Sequence, residues 1–387
     1  MPSHSPKLLD MIRTLIATPS ISSVSPELDQ SNRAVIDLLA SWLEDLGFAV
    51  EIQSIPGHPD KFNLIAVLGA GLGGLVLAGH TDTVPYDENR WRHDPFGGQV
   101  DGGRLYGLGS ADMKAFLAIA AEAASGCAAQ ALRQPLIILA TADEESSMHG
   151  AQALVDAGRP LGRYAVIGEP TGLRPVRMHK GIMMESIRLA GRSGHSSDPA
   201  LGVSALEGMH RVLAEILAWR QELQERYRNP LFAVPVPTLN LGYIHGGDNP
   251  NRICGECELG IDIRPLPGMV LEELRDALRQ RLARLLADSR LQLSCQPLFQ
   301  GIAAMETPAA SAIVQAAEEF TGHAAGAAAF GTEAPYLQQL GMETVILGPG
   351  HIAQAHQPDE YLALDAVPPM LALLTRLIHR FCVQPQG

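Results

Sequence analysis

The sequence predicts an α/β protein, a mixed sheet covered by helices on both faces, interrupted by a smaller α+β open-faced sandwich. Two observations carry this. Up to about residue 180, and again from about 299, helical stretches alternate with continuous apolar runs such as Leu75-Val76-Leu77-Ala78 and Leu136-Ile137-Ile138-Leu139. Such runs mark strands buried on both faces. Between them the strands alternate apolar and polar residues, as in Cys257, Leu259, Ile261 and Ile263, in the order β-α-β-β-α-β. The expected domains are therefore 1–180 with 299–387, discontinuous, and an inserted 181–298. With 387 residues, 46% of them hydrophobic, the chain has enough material for two cores.

Taken in order, 6–18 and 29–46 read as helices. In the second, Val35, Ile36, Leu39, Trp42, Leu43 and Leu46 recur at helical spacing and Gly47 closes it. Strands follow over 48–52 and 63–68. The run 69–74 matches G-x-G-x-x-G, but a dinucleotide-binding loop must lead from a strand into a helix. Here it leads into the apolar strand 75–78, so a hairpin turn is expected and no nucleotide. A Gly-rich polar stretch runs to Gly103, followed by a helix over 115–124, a strand over 135–141, a helix over 151–157 and a strand over 164–167. The inserted part has strands over 183–189, 238–244, 257–263 and 291–295 and helices over 201–227 and 270–288. A helix over 308–321, a strand over 344–347 and a helix over 366–382 complete the chain.

A formal net charge of −13 argues against a nucleic-acid partner, which requires a basic face. No unbroken apolar run reaches the ~18 residues of a membrane helix, and the stretch from Lys7 to Arg13 is amphipathic rather than a signal-peptide core. A cytoplasmic location is expected. The five scattered cysteines suit a reducing compartment. Cys254 and Cys257 have CxxC spacing, but no second Cys or His pair follows, and entry into an alternating strand turns the two sulfurs to opposite sides.

In open α/β sheets ligands gather at the carboxyl ends of the strands. Here those ends carry His80 and Asp82, Glu144 and Glu145, Glu169, and, through a loop, His356; Asp112 stands at a strand-to-helix junction. Each residue alone has an ordinary explanation as a cap, a turn acid or a surface His. Together they do not, because carboxylates gathered this closely repel unless a cation sits among them. Oxygen and nitrogen donors without a thiolate suit a pair of zinc-like divalent ions. Glu144 and Glu145 are adjacent and cannot both face one ion, so one can ligate while the other stays free as a base.

The runs GHTDTVP, GSADMK, TADEES, GEPTG, GHSSDP, GTEAP and AHQPDEYL, in this order along almost the whole chain, resemble metallopeptidase family M20, the dinuclear-zinc amidases. Within it, GGDNPNRICGECELGIDIRPLPGM and GPGHIAQAHQPDEYL resemble the members that deacetylate N2-acetyl-L-ornithine. The resemblance implies a zinc-aminopeptidase-like catalytic domain with two zinc ions, for which cobalt can substitute. His80 and Glu169 would bind one ion, Glu145 and His356 the other, with Asp112 bridging, Asp82 orienting His80 and Glu144 as general base. It further implies a homodimer paired through 181–298, with His195 reaching the partner's active site, and a small N-acyl amino acid as substrate. Arg264, Asn251 and Thr332 correspond to substrate-binding positions, and Arg264 suits an α-carboxylate. One departure bears on side-chain specificity: Gly331 stands where close relatives often carry Cys. N-Succinyl-diaminopimelate, acetylcitrulline or another N-acyl amino acid are the alternative substrates, and a catalytically inactive binding protein is the alternative of a different class.

Overall fold

The computed structural model describes residues 7–71, 73–127 and 132–383. They divide into two compact units: Met1–Arg177 with Thr307–Gly326 and Glu333–Gly387, and Met178–Glu306 with Ala327–Thr332.

The first unit is built on six strands of a larger mixed sheet, in the order Ala49–Ile55, His58–Leu68, Leu136–Thr141, Leu75–His80, Tyr164–Ile167, Glu343–Ile346. The last four of these are parallel, so Thr141, His80, Ile167 and Ile346 end on the same edge. Alternate side chains of each strand point to opposite faces of the sheet. Leu75, Leu77, Leu136, Ile138, Tyr164 and Val166 face one large core shared with the helices Leu8–Ile16, Arg33–Asp45, Lys114–Ser125 and Val367–Ile378. The intervening Val76, Ala78, Ile137, Leu139, Ala165 and Ile167 are buried as well. Both faces of the sheet are therefore covered, which is why these strands read as unbroken apolar runs.

The run 69–74 differs from its expected role. The strands on either side of it are not neighbours, because Leu136–Thr141 lies between them, antiparallel to one and parallel to the other. The run is a crossover that steps over one strand, and Leu72 in it lies outside the described residues. Glycine is required at Gly74, where a Cβ would come within 1.9 Å of the Pro135 carbonyl oxygen. A three-stranded sheet of Gln99–Asp101, Arg104–Tyr106 and Tyr361–Ala363, and a short helix Ala334–Gln339, were not legible in the sequence. The stretch Leu364–Val383 averages a hydropathy of 1.3, apolar enough for a membrane span. Charged Asp365, Arg376 and Arg380 interrupt it, and Met370, Leu374, Leu377 and Ile378 are in the core, as in the central helix of a folded domain.

The second unit has a fully antiparallel four-stranded sheet in the order Thr238–Gly246, Glu256–Arg264, Met183–Ala190, Gln292–Pro297. Along Met183–Ala190 every second residue is buried, so one face packs on helices Ala205–Arg226 and Leu271–Leu285. Ser204 starts the first helix by accepting the Glu207 amide at 3.2 Å. Ala327–Thr332 joins this unit through the Lys180 amide on the Ala328 carbonyl (3.3 Å) and the approach of Gly331 to Ile182. All five cysteines are free; Cys257 is buried, and Cys254 turns its Sγ to the Glu256 carbonyl at 3.0 Å.

Candidate metal centre

Five segments of the first unit bring the predicted acids and histidines together. His80 ends its strand with its ring buried. Glu169 follows the strand Tyr164–Ile167 by way of Gly168, where any Cβ would lie 2.0 Å from the Phe116 ring. That absence of a side chain lets the strand end close on helix Lys114–Ser125, which starts just after Asp112. Glu144 and Glu145 lie in the turn after Thr141, opened by Asp143 at φ 57°. His356 is itself held at φ 59°, in the left-handed region that non-glycine residues seldom adopt.

Asp112 sits at the centre. Its Oδ1 is 3.1 Å from His80 Nε2, and its Oδ2 is 3.5 Å from His356 Nε2. Glu169 Oε1 approaches His80 Nε2 to 3.6 Å and Glu145 Oε1 approaches His356 Nε2 to 3.0 Å. Each oxygen of one carboxylate therefore addresses a different His, and each His has a second carboxylate of its own. His80, Asp112 and Glu145 offer donor atoms within 4.8 Å of one another, as do His80, Glu144 and Glu169. His356 is half exposed at the rim, while His80, Asp112 and Glu169 are buried. The Glu144 carboxylate makes no hydrogen bond or ion pair with any described residue.

Proton equilibria in the cluster point the same way. Asp112 and Glu145 beside His356 raise its pKa to about 10. Burial opposes charge on His80, but Asp112 and Asp82 outweigh it and hold the ring well above its ordinary value. Burial raises Glu144 and Glu169 well above the carboxylate range, helped by neighbouring acids, and Glu145 less far. Burial opposes charge on Asp112 too, yet the two histidines keep its pKa low. The raised values at the two histidines and the three glutamates reflect carboxylates crowded into a buried site. Two donors about 2.0–2.2 Å from one tetrahedral ion stand roughly 3.3–3.6 Å apart. The His–carboxylate separations are close to this, and the all-oxygen-and-nitrogen donor set fits divalent cations.

Asp82 does more than its spacing suggested. His80 Nδ1 is 3.0 Å from the Asp82 carbonyl oxygen and 3.6 Å from Oδ1. The carboxylate accepts the Glu144 and Glu145 amides at 3.3 and 3.1 Å. Two contributors had no reading from sequence. Asp143 Oδ1 is held by Lys61 Nζ at 2.8 Å and Ser22 Oγ at 2.9 Å, which anchors the turn carrying both glutamates. Glu333 is buried and joined to Thr141 Oγ1 at 2.7 Å. The only trace of either in the sequence was its place in the runs TADEES and GTEAP.

The remaining predicted residues belong to the second unit. His195 engages Ser197 Oγ through Nδ1 at 2.7 Å, and its loop runs beside 249–253, with the Ser196 amide on the Asn251 carbonyl at 3.0 Å. Arg264 closes its strand and pairs with Asp262 Oδ2 at 3.0 Å. Thr332 is fully buried. A Cβ at Gly331 would meet Ile182 Cδ1 at 3.1 Å, so a larger residue there requires Ile182 to shift.

Comparison with known proteins places the chain in a family. Residues 76–380 match the model of peptidase family M20/M25/M40. The chain is 50% identical over 382 residues to acetylornithine deacetylase of Edwardsiella ictaluri (strain 93-146), covering 99% of this chain and all of that protein. It is 50% identical over 380 residues to acetylornithine deacetylase of Proteus mirabilis (strain HI4320), with 98% and 97% covered. Among solved structures, aminopeptidase PepT from Bacillus cereus ATCC 10987 superposes with a TM-score of 0.77 at 19% identity, covering 98% of this chain and 100% of that one. The YXEP protein of Bacillus subtilis, described as a dinuclear metal-binding peptidase of family M20, gives 0.67 at 15% identity, covering 96% and 97%. With a family model spanning most of its length and near-complete relatives at half identity, this chain belongs to peptidase family M20/M25/M40 and is a hydrolase of amide bonds.

Proposed function

We propose that the protein removes the acetyl group of N2-acetyl-L-ornithine, giving L-ornithine and acetate, as in arginine biosynthesis. The observation that carries this reading is the Asp112 carboxylate with one oxygen toward each histidine, beside a Glu144 carboxylate left uncommitted. Support for the substrate comes from the two acetylornithine deacetylases that match end to end.

Two divalent cations, zinc with cobalt as a substitute, would be held by His80 and Glu169 on one side and Glu145 and His356 on the other, with Asp112 shared. When bound, such ions polarise an acyl carbonyl and make a water acidic enough to react near neutral pH. Glu144 takes the proton of the attacking water and delivers it to the departing amine nitrogen, acting first as base and then as acid. Asp82 holds the His80 ring and the Glu144–Glu145 turn as one piece, so the base and the ligands keep their spacing. Arg264 would pair with the substrate α-carboxylate, exchanging Asp262 for it, with Asn251 and Thr332 beside it. His195 from a partner subunit would donate to the developing oxyanion, in a cytoplasmic homodimer paired through 181–298. The exposed outer strand Thr238–Gly246, with Tyr243 and Ile244 open on it, supports a strand-edge contact of that kind.

The test is hydrolysis of a panel comprising N2-acetyl-L-ornithine, acetylcitrulline, N-succinyl-diaminopimelate and other N-acyl amino acids, with metal content measured on the same sample. The highest kcat/KM on acetylornithine with two ions per chain is expected. A different preferred acyl amino acid overturns the substrate, and metal-replete protein without turnover on any of them overturns the reaction.

A further inference from the structure

Glu360 lies four residues beyond His356 and is buried. Both of its side-chain oxygens face the loop that carries Asp112. Oε1 accepts the amides of Ala111 (2.7 Å) and of Asp112 itself (3.0 Å), and Oε2 accepts that of Gly109 (3.0 Å). The Glu360 carbonyl takes a fourth amide of the same loop, that of Gly107 at 2.9 Å. On the other side of the backbone, Asp359 grips a second loop through the Arg92 and His93 amides at 2.8 and 3.0 Å. The strand that follows is registered on Arg104–Tyr106, with Tyr361 opposite Tyr106. The segment 356–363 is thus fixed at several points, and the acceptor nearest the metal centre is Glu360.

We propose that Glu360 is a positioning residue for the metal centre: it locks the Asp112 loop to the segment that carries His356, so that one short stretch supplies a ligand and sets the aim of the shared one. The inference rests on the two-ion reading above. Its physical basis is the grip on the Asp112 amide. With that amide fixed, the two carboxylate oxygens keep their 3.1 and 3.5 Å approaches to different histidines. Ligands must be held to within about 0.5 Å to bind a metal well, and three amides on the two oxygens of one buried side chain make a stiff grip. A glutamine at 360 keeps the size and one acceptor oxygen, but turns an NH2 toward at least one amide that needs an acceptor.

Apo protein, as wild type and as Glu360→Gln, is titrated with Zn2+ and with Co2+ against a chelating indicator, and the cobalt absorption spectrum is recorded. The expected result is a native far-UV spectrum with metal affinity lowered ~10–100-fold, the range for residues that orient ligands. An altered cobalt spectrum and a fall in kcat larger than any rise in KM are expected alongside. Unchanged affinity and spectrum, in a wild type that binds two ions, overturn the inference alone. A wild type that binds fewer than two ions overturns the reading beneath it. Should Glu360→Gln not fold, Glu360→Asp, which keeps the carboxyl group one methylene short of the amides, carries the same comparison. Loss of the native fold in both assigns Glu360 to general stability and overturns the positioning role.

Discussion

His80 Nδ1 lies 3.0 Å from the backbone carbonyl of Asp82 and 3.6 Å from its carboxylate. The ring is thus held by a group that no substitution at 82 removes, and the carboxylate is released for the Glu144 and Glu145 amides. Asp82→Asn is expected to leave the His80 ring in place, because the Nδ1 proton still has the carbonyl, while an amide NH2 faces one of the two backbone donors. Turnover or metal affinity should fall ~10–100-fold, the usual consequence of losing an outer partner of a metal ligand. Metal titration and kcat on one preparation check this, and wild-type values in both would leave the Asp82 carboxylate without a role.

How much of this was legible follows from the kind of interaction involved. Continuous apolar runs ending in His80, Glu144–Glu145 and Glu169 could be read because the parallel strands Leu75–His80, Leu136–Thr141 and Tyr164–Ile167 end on one edge. The stepping of 69–74 over a strand could not, since sequence neighbours need not be sheet neighbours. The spacing of His80 and Asp82 indicated that they face the same way, but not that a main-chain oxygen would be the nearer partner. Lys61 and Asp143 are 82 positions apart with no periodic pattern linking them, so their 2.8 Å pair is visible only in three dimensions.

Glu144 sits with His80 and Glu169, yet no hydrogen bond from a described residue fixes its carboxylate. Glu144→Gln preserves volume and the main-chain bond to Asp82 but cannot take a proton. The variant is expected to bind both ions with little change and to lose at least ~10²-fold in kcat, the scale of general acid–base catalysis. Single-turnover rates and metal content measured together check this; a rate near wild type would remove Glu144 from the chemistry.

Glu333 carries a pH dependence of stability. Burial raises its pKa from 4.5 to about 7, outweighing the Thr141 hydroxyl and the His80 ring, which act in the opposite sense. The folded protein holds this proton more tightly than the unfolded chain, so the stabilisation is complete below about 4.5 and is lost as pH rises through about 7. At ~1.4 kcal/mol per pKa unit the span is on the order of 3 kcal/mol. Glu333→Gln, neutral throughout, should flatten the Tm profile over that window and gain on wild type toward pH 8. Parallel profiles for the two proteins would show that Glu333 is ionised in the fold.

The proposed sharing of His195 between subunits makes a prediction that single variants cannot. His195→Ala and Glu144→Gln are each expected to be inactive as homodimers. In a mixed dimer one site combines the intact Glu144 of one chain with the intact His195 of the other, and the second site carries both defects. Random reassortment makes half the dimers mixed, so recovery of about a quarter of wild-type activity is expected for a two-fold symmetric pair. The mixture is made by reversible dissociation, with differently tagged chains to verify heterodimers by tandem purification. If His195 instead served the site of its own chain, each chain of the mixed dimer would keep its own defect. Verified heterodimers would then be as inactive as the parents, and that result would overturn the shared site.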